Sequence, residues 1–149
     1  MNAAAISDPN NEPPGNDESV IFVVEGDAAV RNSLNFALGT EGYAVRTFAT
    51  GSALLAESAT LARGCLIADQ TLPDLSGLDL IQDLRSLGIR LPAILLAGDA
   101  GPQLRARATR AGVTIVEKPL LGDGLARAIK DAFAETCRPK PAQALRSNS

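Results

Sequence analysis

The chain has 149 residues, 46% of them apolar, and a formal net charge of −3 from 14 basic and 17 acidic residues. This length suffices for one domain with a hydrophobic core. The mild negative charge and the scarcity of aromatic residues (3%, with no Trp) argue against a nucleic-acid-binding surface. The sequence contains no His, which excludes imidazole catalysis and most zinc sites.

The two ends of the chain differ in composition from its middle. Residues 1–18 are rich in Asn, Pro, Asp, Glu and Ala, and we predict a disordered arm there. We predict a flexible tail over residues 137–149, which leaves one domain over residues 19–136. No signal-peptide pattern and no apolar run of membrane-spanning length is present, so the cytoplasm is the expected location.

Five short apolar runs are predicted to be β-strands: Val20–Val24, Tyr43–Phe48, Cys65–Ala68, Pro92–Ala97 and Val113–Val116. Four of them are nearly continuous, which is typical of strands buried on both faces of a parallel sheet. The run Tyr43–Phe48 alternates and should lie at an edge. Cys65 lies inside an apolar run, and we predict that its thiol is buried and inert.

An amphipathic segment follows each predicted strand. Asp27 is a candidate N-cap for the first helix, which should end at Gly39 or Gly42. The other four predicted helices are Ser52–Leu61, Ser76–Gly88, Pro102–Ala111 and Leu121–Phe133. This alternation of strands and helices predicts an α/β fold, a doubly wound, open and mostly parallel sheet of five strands with helices on both faces.

Charged side chains follow three of the predicted strands. Glu25 ends the first, Asp69 ends the third, and Lys118 ends the fifth. Ligands and chemistry gather at the carboxyl ends of the strands in sheets of this kind. We therefore expect two acids and one lysine to converge at one edge of the sheet.

Five motifs occur in a consistent order: VVEGDAAVRNSL, GCLIADQTLPDLSGLDLI, LPAILLAGDAG, RAGV and VEKPL. With these motifs the chain resembles, from about residue 20 to residue 135, the receiver domain of bacterial two-component response regulators in a FixJ-like style. The resemblance implies a flavodoxin-like fold. It also implies that Asp69 accepts a phosphoryl group from a sensor histidine kinase, that Lys118 pairs with that group, and that the Lys118–Pro119 bond is cis.

General chemistry agrees with these roles. A carboxylate is a competent nucleophile toward phosphorus if its charge is offset, and a lysine stabilises phosphoryl oxygens. Mg²⁺ normally bridges the carboxylates and the phosphoryl group.

In the family, the positions of Glu25, Gly26 and Asp27 form the acidic cluster that holds Mg²⁺. The position of Gly26 normally carries an Asp that binds the ion. The expected metal ligands are therefore Asp69 and Glu25, with weakened binding. Asp27 either joins the acidic pocket or caps the following helix.

Two further positions depart from the family pattern. Ala97 stands where a Thr or Ser hydroxyl normally contacts the phosphoryl group. Ile115 stands where a Phe or Tyr normally changes rotamer on activation. Together with Gly26, these residues predict an atypical receiver whose standard switch is incomplete.

The leading hypothesis is a stand-alone, non-enzymatic signalling protein. Its partners would be a sensor histidine kinase or a phosphotransfer protein, with neither nucleic acid nor membrane as a partner. A homodimer could form through the N-terminal arm or through the fourth helix, fifth strand and fifth helix. We expected that second surface to include Leu104, Ala108, Ala111, Arg127 and Lys130.

Two alternatives stay open. The first is a phosphorylation-independent pseudo-receiver that acts as an interaction module. The second is a flavodoxin-like cofactor binder, which the lack of a glycine-rich loop after the first strand disfavours.

Overall fold

A five-stranded parallel sheet forms the centre of the molecule. The computed structural model describes residues 20–61, 63–120 and 123–137, so the predicted arm over 1–18 and nearly all of the predicted tail lie outside the described residues. The strands are β1 Val20–Val24, β2 Ala44–Phe48, β3 Cys65–Asp69, β4 Ala93–Ala97 and β5 Thr114–Glu117. Their order is β2-β1-β3-β4-β5, and all four pairings are parallel, which confirms the predicted sheet.

Helices follow each strand. They are α1 Ala28–Thr40, α2 Gly51–Leu55, α3 Gly77–Ser86, α4 Pro102–Ala111 and α5 Gly124–Cys137. Asp27 and Ser76 cap α1 and α3 through side-chain oxygens, as predicted. Gly112 ends α4 in the left-handed conformation, with φ 71°, which favours glycine. α5 extends to Cys137, and the predicted domain boundary at residue 136 stays a prediction.

The second helix is shorter than predicted. The sequence pattern predicted helix over Ser52–Leu61, but α2 ends at Leu55 and is followed by a 3₁₀ turn, Ser58–Thr60. Both Leu54 and Leu61 are buried. Leu61 therefore reaches the core from the end of the 3₁₀ turn and not from an α-helix.

Burial distinguishes the central strands from the edges. β1, β3 and β4 are buried almost throughout, whereas β2 is partly exposed at one edge, as its alternation predicted. The prediction that β5 is buried on both faces was wrong. It forms the opposite edge, where Thr114 and Glu117 are exposed.

Two hydrophobic layers cover the sheet. One packs α2, α3 and α4 against one face, with Leu78 and Leu84 among its buried members, and the other packs α1 and α5 against the opposite face. The inner side of α4 contributes to the first layer through Leu104, Ala108 and Ala111. Of the three, Ala108 is buried, whereas Leu104 and Ala111 are half-buried, so a contribution of those two to a partner surface stays a prediction.

In the described part of the chain, no helix is long and apolar enough to cross a membrane.

Candidate functional site

The three charged residues at the strand ends meet. Lys118 Nζ lies 3.2 Å from Asp69 Oδ1 and 3.5 Å from Glu25 Oε1. Because the strands are parallel and in register, their carboxyl ends lie side by side, and the side chains that follow them share one hollow. The predicted convergence of two acids and one lysine is confirmed.

Backbone hydrogen bonds extend the sheet into the site. The amide of Glu25 donates to the carbonyl of Phe48 at 3.0 Å, and the amide of Lys118 donates to the carbonyl of Ala97 at 2.9 Å. The Lys118–Pro119 peptide bond is cis, as the resemblance implied. Glu25 and Lys118 therefore start from backbone positions that the sheet itself fixes.

Glu25 is a buried carboxylate with incomplete hydrogen bonding. Its side chain is 2% exposed. Oε2 accepts from the amide of Asp27 at 3.1 Å, whereas Oε1 has no hydrogen-bond partner in the described structure. Burial raises the pKa of Glu25, the Asp27 amide opposes that rise, and the nearby negative charge of Asp69 adds to it. The free oxygen of Glu25 can therefore take a cation in addition to Lys118.

Lys118 is the positive charge of the site. Burial lowers the pKa of Lys118, but the hydrogen bond and the charge of Asp69, together with the charge of Glu25, outweigh burial and raise it overall. Its ammonium group therefore stays protonated at neutral pH. Its side chain is 28% exposed, so it can follow a group that enters from solvent.

Asp27 does not share this pocket. Its Oδ1 accepts from the amides of Ala29 at 2.9 Å and Val30 at 3.3 Å, which makes it the N-cap of α1. Lys118 forms its described ion pairs with Glu25 and Asp69 only. Of the two roles weighed for Asp27, the structure shows the helix cap.

Of the three atypical positions, Gly26 and Ala97 lie at this edge, whereas Ile115 lies within β5 opposite Leu95. Gly26 is exposed, and a Cβ there would meet Pro73 Cδ at 3.2 Å. Ala97 is buried at the end of β4, and Ile115 is half-buried against the core layer of α2, α3 and α4. None of the three brings a polar side chain to the site.

The loop after β3 is fixed by contacts that the sequence did not reveal. Asp74 accepts from the amides of Gly51 at 3.0 Å and Ser52 at 2.8 Å, at the start of α2. The hydrogen bond from the Ser52 hydroxyl, together with these amides, lowers the pKa of Asp74 to about 2. At the far end of the loop, Gly77 allows α3 to approach the carbonyl of Asp69, since a Cβ at Gly77 would lie 2.4 Å from that oxygen. This loop therefore connects the residue at the end of β3 to two helices.

Arg31 was missed as a site residue. Its Nη1 donates to the carbonyl of Glu25 at 2.8 Å and approaches the carbonyl of Gly26 at 3.4 Å. The available signal was an arginine in the first turn of a helix, where a positive charge opposes the helix dipole.

Two carboxylates are available for a metal ion. In the part of the chain that the structure describes, no group of three or more acidic, His or Cys side chains is placed to hold one. Mg²⁺ commonly binds through one or two carboxylates and keeps several waters. The unpartnered Oε1 of Glu25 beside Asp69 fits such a sparse site.

Cys65 and the cavity beside Lys118 show no further chemistry. Burial raises the pKa of Cys65 to about 12, so the thiol is inert, as predicted. A cavity of about 580 Å³ lies between α1 and α5, and Lys118 is the one cation among the residues that line it. This lining offers little to a nucleotide phosphate, and the cofactor-binder alternative gains no support from it.

Comparisons with known proteins agree with the geometry. The family model described as the response regulator receiver domain matches residues 21–130. Response regulator protein TmoT of Ectopseudomonas mendocina is 35% identical over 117 residues, which cover 78% of this chain and 53% of TmoT. Transcriptional regulatory protein FixJ of Bradyrhizobium diazoefficiens is 32% identical over 116 residues, which cover 77% of this chain and 57% of FixJ.

Solved structures show the same similarity. The crystal structure of FixJ-N has a TM-score of 0.71 at 31% identity, covering 76% of this chain and 92% of FixJ-N. Full-length FixJ from B. japonicum has a TM-score of 0.74 at 30% identity, covering 85% of this chain and 62% of that protein. The chain spans about half the length of the curated relatives it matches. It belongs to the response regulator receiver domain family of two-component systems.

Proposed function

We propose that Asp69 accepts a phosphoryl group from the phosphohistidine of a sensor histidine kinase or phosphotransfer protein, and that the chain passes the signal on through protein–protein contacts. The observation that carries this proposal is the 3.2 Å contact between Lys118 Nζ and Asp69 Oδ1 at the carboxyl edge of the sheet. This contact places the carboxylate that would attack phosphorus beside the ammonium group that would stabilise the phosphorylated product.

The transfer requires one bond to form and one to break. A carboxylate oxygen of Asp69 attacks phosphorus, and the bond from phosphorus to the donor imidazole nitrogen breaks with its electron pair left on nitrogen. Lys118 already stands beside the attacking carboxylate, so its ammonium group can stabilise the phosphoryl oxygens as they arrive. Glu25 then remains as the buried partner of Lys118.

Receiver domains generally bind Mg²⁺ for phosphorylation. Here the ion would be held by Asp69 and Glu25, where it would supply positive charge to the phosphoryl oxygens. The glycine at position 26 brings no carboxylate to this cluster, so we propose that binding is weak.

The missing hydroxyl at Ala97 affects the output of the switch rather than the transfer. A phosphoryl group on Asp69 would find no side-chain hydroxyl at this end of β4, because Ala97 is a buried methyl group. We therefore propose that phosphorylation reaches the partner surface through the position of Lys118 and the charge of the site.

The test is phosphotransfer from a radiolabelled kinase and from acetyl phosphate. We expect labelling of the wild type that disappears in Asp69→Asn and persists in Asp99→Asn, which changes an exposed acid just beyond β4. Absence of label from both donors in the presence of Mg²⁺ would refute the proposal.

A second candidate is the phosphorylation-independent interaction module. Gly26 and Ala97 favour it, because together they remove a metal ligand and the phosphoryl-contacting hydroxyl. Lys118 also pairs with two carboxylates of the chain itself, so its charge already has partners within the protein. Partner binding that is equal for the wild type and Asp69→Asn would select this candidate.

We further propose a contact surface, including a homodimer interface, on α4, β5 and α5. Its outer side carries the ion pair of Arg105 with Glu117, which connects α4 to β5. Light scattering before and after phosphorylation tests this: an unchanged monomer mass at both stages would exclude the dimer. The predicted N-terminal arm is an alternative site of dimer contact, and a variant without the arm tests it.

A further inference from the structure

Arg31 contacts backbone carbonyls that precede α1, from a position where its positive charge does not stabilise the helix. It lies in the first turn of α1, half-buried, and its Nη1 reaches back over the helix start to the carbonyls of Glu25, at 2.8 Å, and Gly26, at 3.4 Å. It is the only charged residue between Ala28 and Thr40. A cation near a helix N-terminus faces the positive end of the helix dipole, so this position has an electrostatic cost.

The contact restrains the loop at Gly26, between the sheet bond of the Glu25 amide and the helix cap at Asp27. Gly26 links Glu25 to the helix cap, and glycine has the widest backbone freedom of any residue. It has no side chain to pack against Pro73, its nearest neighbour across the loop. The hydrogen bonds from Arg31 to two successive carbonyls therefore replace the restraint that a side chain at position 26 would give.

The restraint acts directly on Glu25. Its backbone carbonyl accepts from Arg31, its Oε2 accepts from the amide of Asp27, and its Oε1 faces Lys118. A shift of this carbonyl would move the carboxylate and, with it, one of the two anchors of Lys118. Positioning errors of about 1 Å commonly cost up to about 100-fold in rate.

We propose that Arg31 is a positioning residue that holds the β1–α1 loop, so that Glu25 keeps Lys118 aligned with Asp69. The proposal rests on the proposed phosphoacceptor role of Asp69 for its kinetic consequence, but not for its structural one. Arg31 donates to backbone carbonyls and does not touch the reacting group.

The kinetic test compares Arg31→Met, Arg31→Lys and Arg90→Met with acetyl phosphate as donor. Arg90 is the matched control, because it is exposed in the connection between α3 and β4, at the opposite end of the strands. We expect Arg31→Met to lower the maximal phosphorylation rate about 10-fold without changing the half-saturating donor concentration. Arg31→Lys, which retains the charge and a donor, should recover part of the rate, and Arg90→Met should match the wild type. The proposal is overturned if Arg31→Met keeps the wild-type rate, or if Arg31→Lys is as slow as Arg31→Met.

The structural test is independent of phosphorylation. The amide of Asp27 donates to Glu25 Oε2, whereas the amide of Lys118 donates to the carbonyl of Ala97 in the sheet. Hydrogen exchange by NMR should be faster at Asp27 in Arg31→Met and unchanged at Lys118, with Arg90→Met unchanged at both. Unchanged exchange at Asp27 overturns the proposal even if the wild type accepts no phosphoryl group. Failure of the wild type to be labelled refutes the phosphoacceptor role alone.

Discussion

Replacing Gly26 with Asp should restore metal affinity. The backbone at Gly26 is not left-handed, and the position is exposed, so a side chain is sterically accessible. The nearest obstacle to a Cβ is Pro73 Cδ at 3.2 Å, which must give by a few tenths of an ångström. The new carboxylate would then stand next to the pair formed by Glu25 and Asp69.

The expected change in Mg²⁺ binding free energy can be estimated with a water-like dielectric, because position 26 is exposed. One unit charge about 4 Å from a divalent ion in a water-like dielectric contributes about 2 kcal/mol. Displacing Pro73 slightly costs about 0.5–1.5 kcal/mol, the usual range for a side chain moved off its rotamer. The net gain of about 0.5–1.5 kcal/mol corresponds to about 2- to 10-fold tighter Mg²⁺ binding.

Isothermal titration calorimetry with Mg²⁺ measures this gain, and acetyl phosphate labelling measures its effect on rate. Gly26→Asn has a similar shape without the charge, and Gly39→Asp places the same charge in open space on α1. Both controls should bind Mg²⁺ like the wild type. A folded Gly26→Asp protein with unchanged affinity and unchanged rate would refute the assignment of position 26 to the metal site.

Three further outcomes are expected. Gly77→Ala should destabilise the fold by about 1–3 kcal/mol, because its Cβ would overlap the backbone carbonyl of Asp69. Gly98→Ala, whose Cβ would meet nothing within 4 Å, should change the unfolding free energy by less than about 0.5 kcal/mol in urea denaturation. The raised pKa of Glu25 means that the folded state holds that proton more tightly than the unfolded state, so stability falls as pH rises from about 4.5 through the folded-state pKa. Glu25→Gln should remove this fall and raise the melting temperature at pH 7, and an unchanged pH profile would contradict the assignment. The carboxyl of Asp74 should titrate near 2 by NMR and move upward in Ser52→Ala, since the Ser52 hydroxyl is its main stabilising partner; a midpoint unaffected by that change would count against the contact.

Much of this fold can be predicted from the sequence. Continuous apolar runs such as Val20–Val24 and the amphipathic segments between them define a parallel sheet without tertiary information. Glu25, Asp69 and Lys118 stand at the ends of three predicted strands. Their placement predicts that the three side chains meet at the carboxyl edge of the sheet. This inference succeeds because strand ends in a parallel sheet share one edge.

Two of the features that the sequence did not predict depend on contacts between residues far apart in the chain. Asp74 caps a helix that begins 23 residues earlier in the chain, and no local pattern reports such a contact. β5 reads as an apolar run, but its exposure depends on which strand lies at the edge of the sheet. Arg31 resembled an ordinary helix-surface arginine, although its position at the positive end of the dipole was a usable signal.

Chemical trapping of the phosphoryl group tests the central claim most directly. An acyl phosphate on Asp69 is reduced by borohydride to homoserine, which peptide mass spectrometry can localise. After incubation with acetyl phosphate and Mg²⁺, we expect homoserine at position 69, less of it in Lys118→Met, and none without donor. Homoserine at another acid, or equal yield in Lys118→Met, would contradict a site in which Asp69 is the nucleophile and Lys118 is its charge partner.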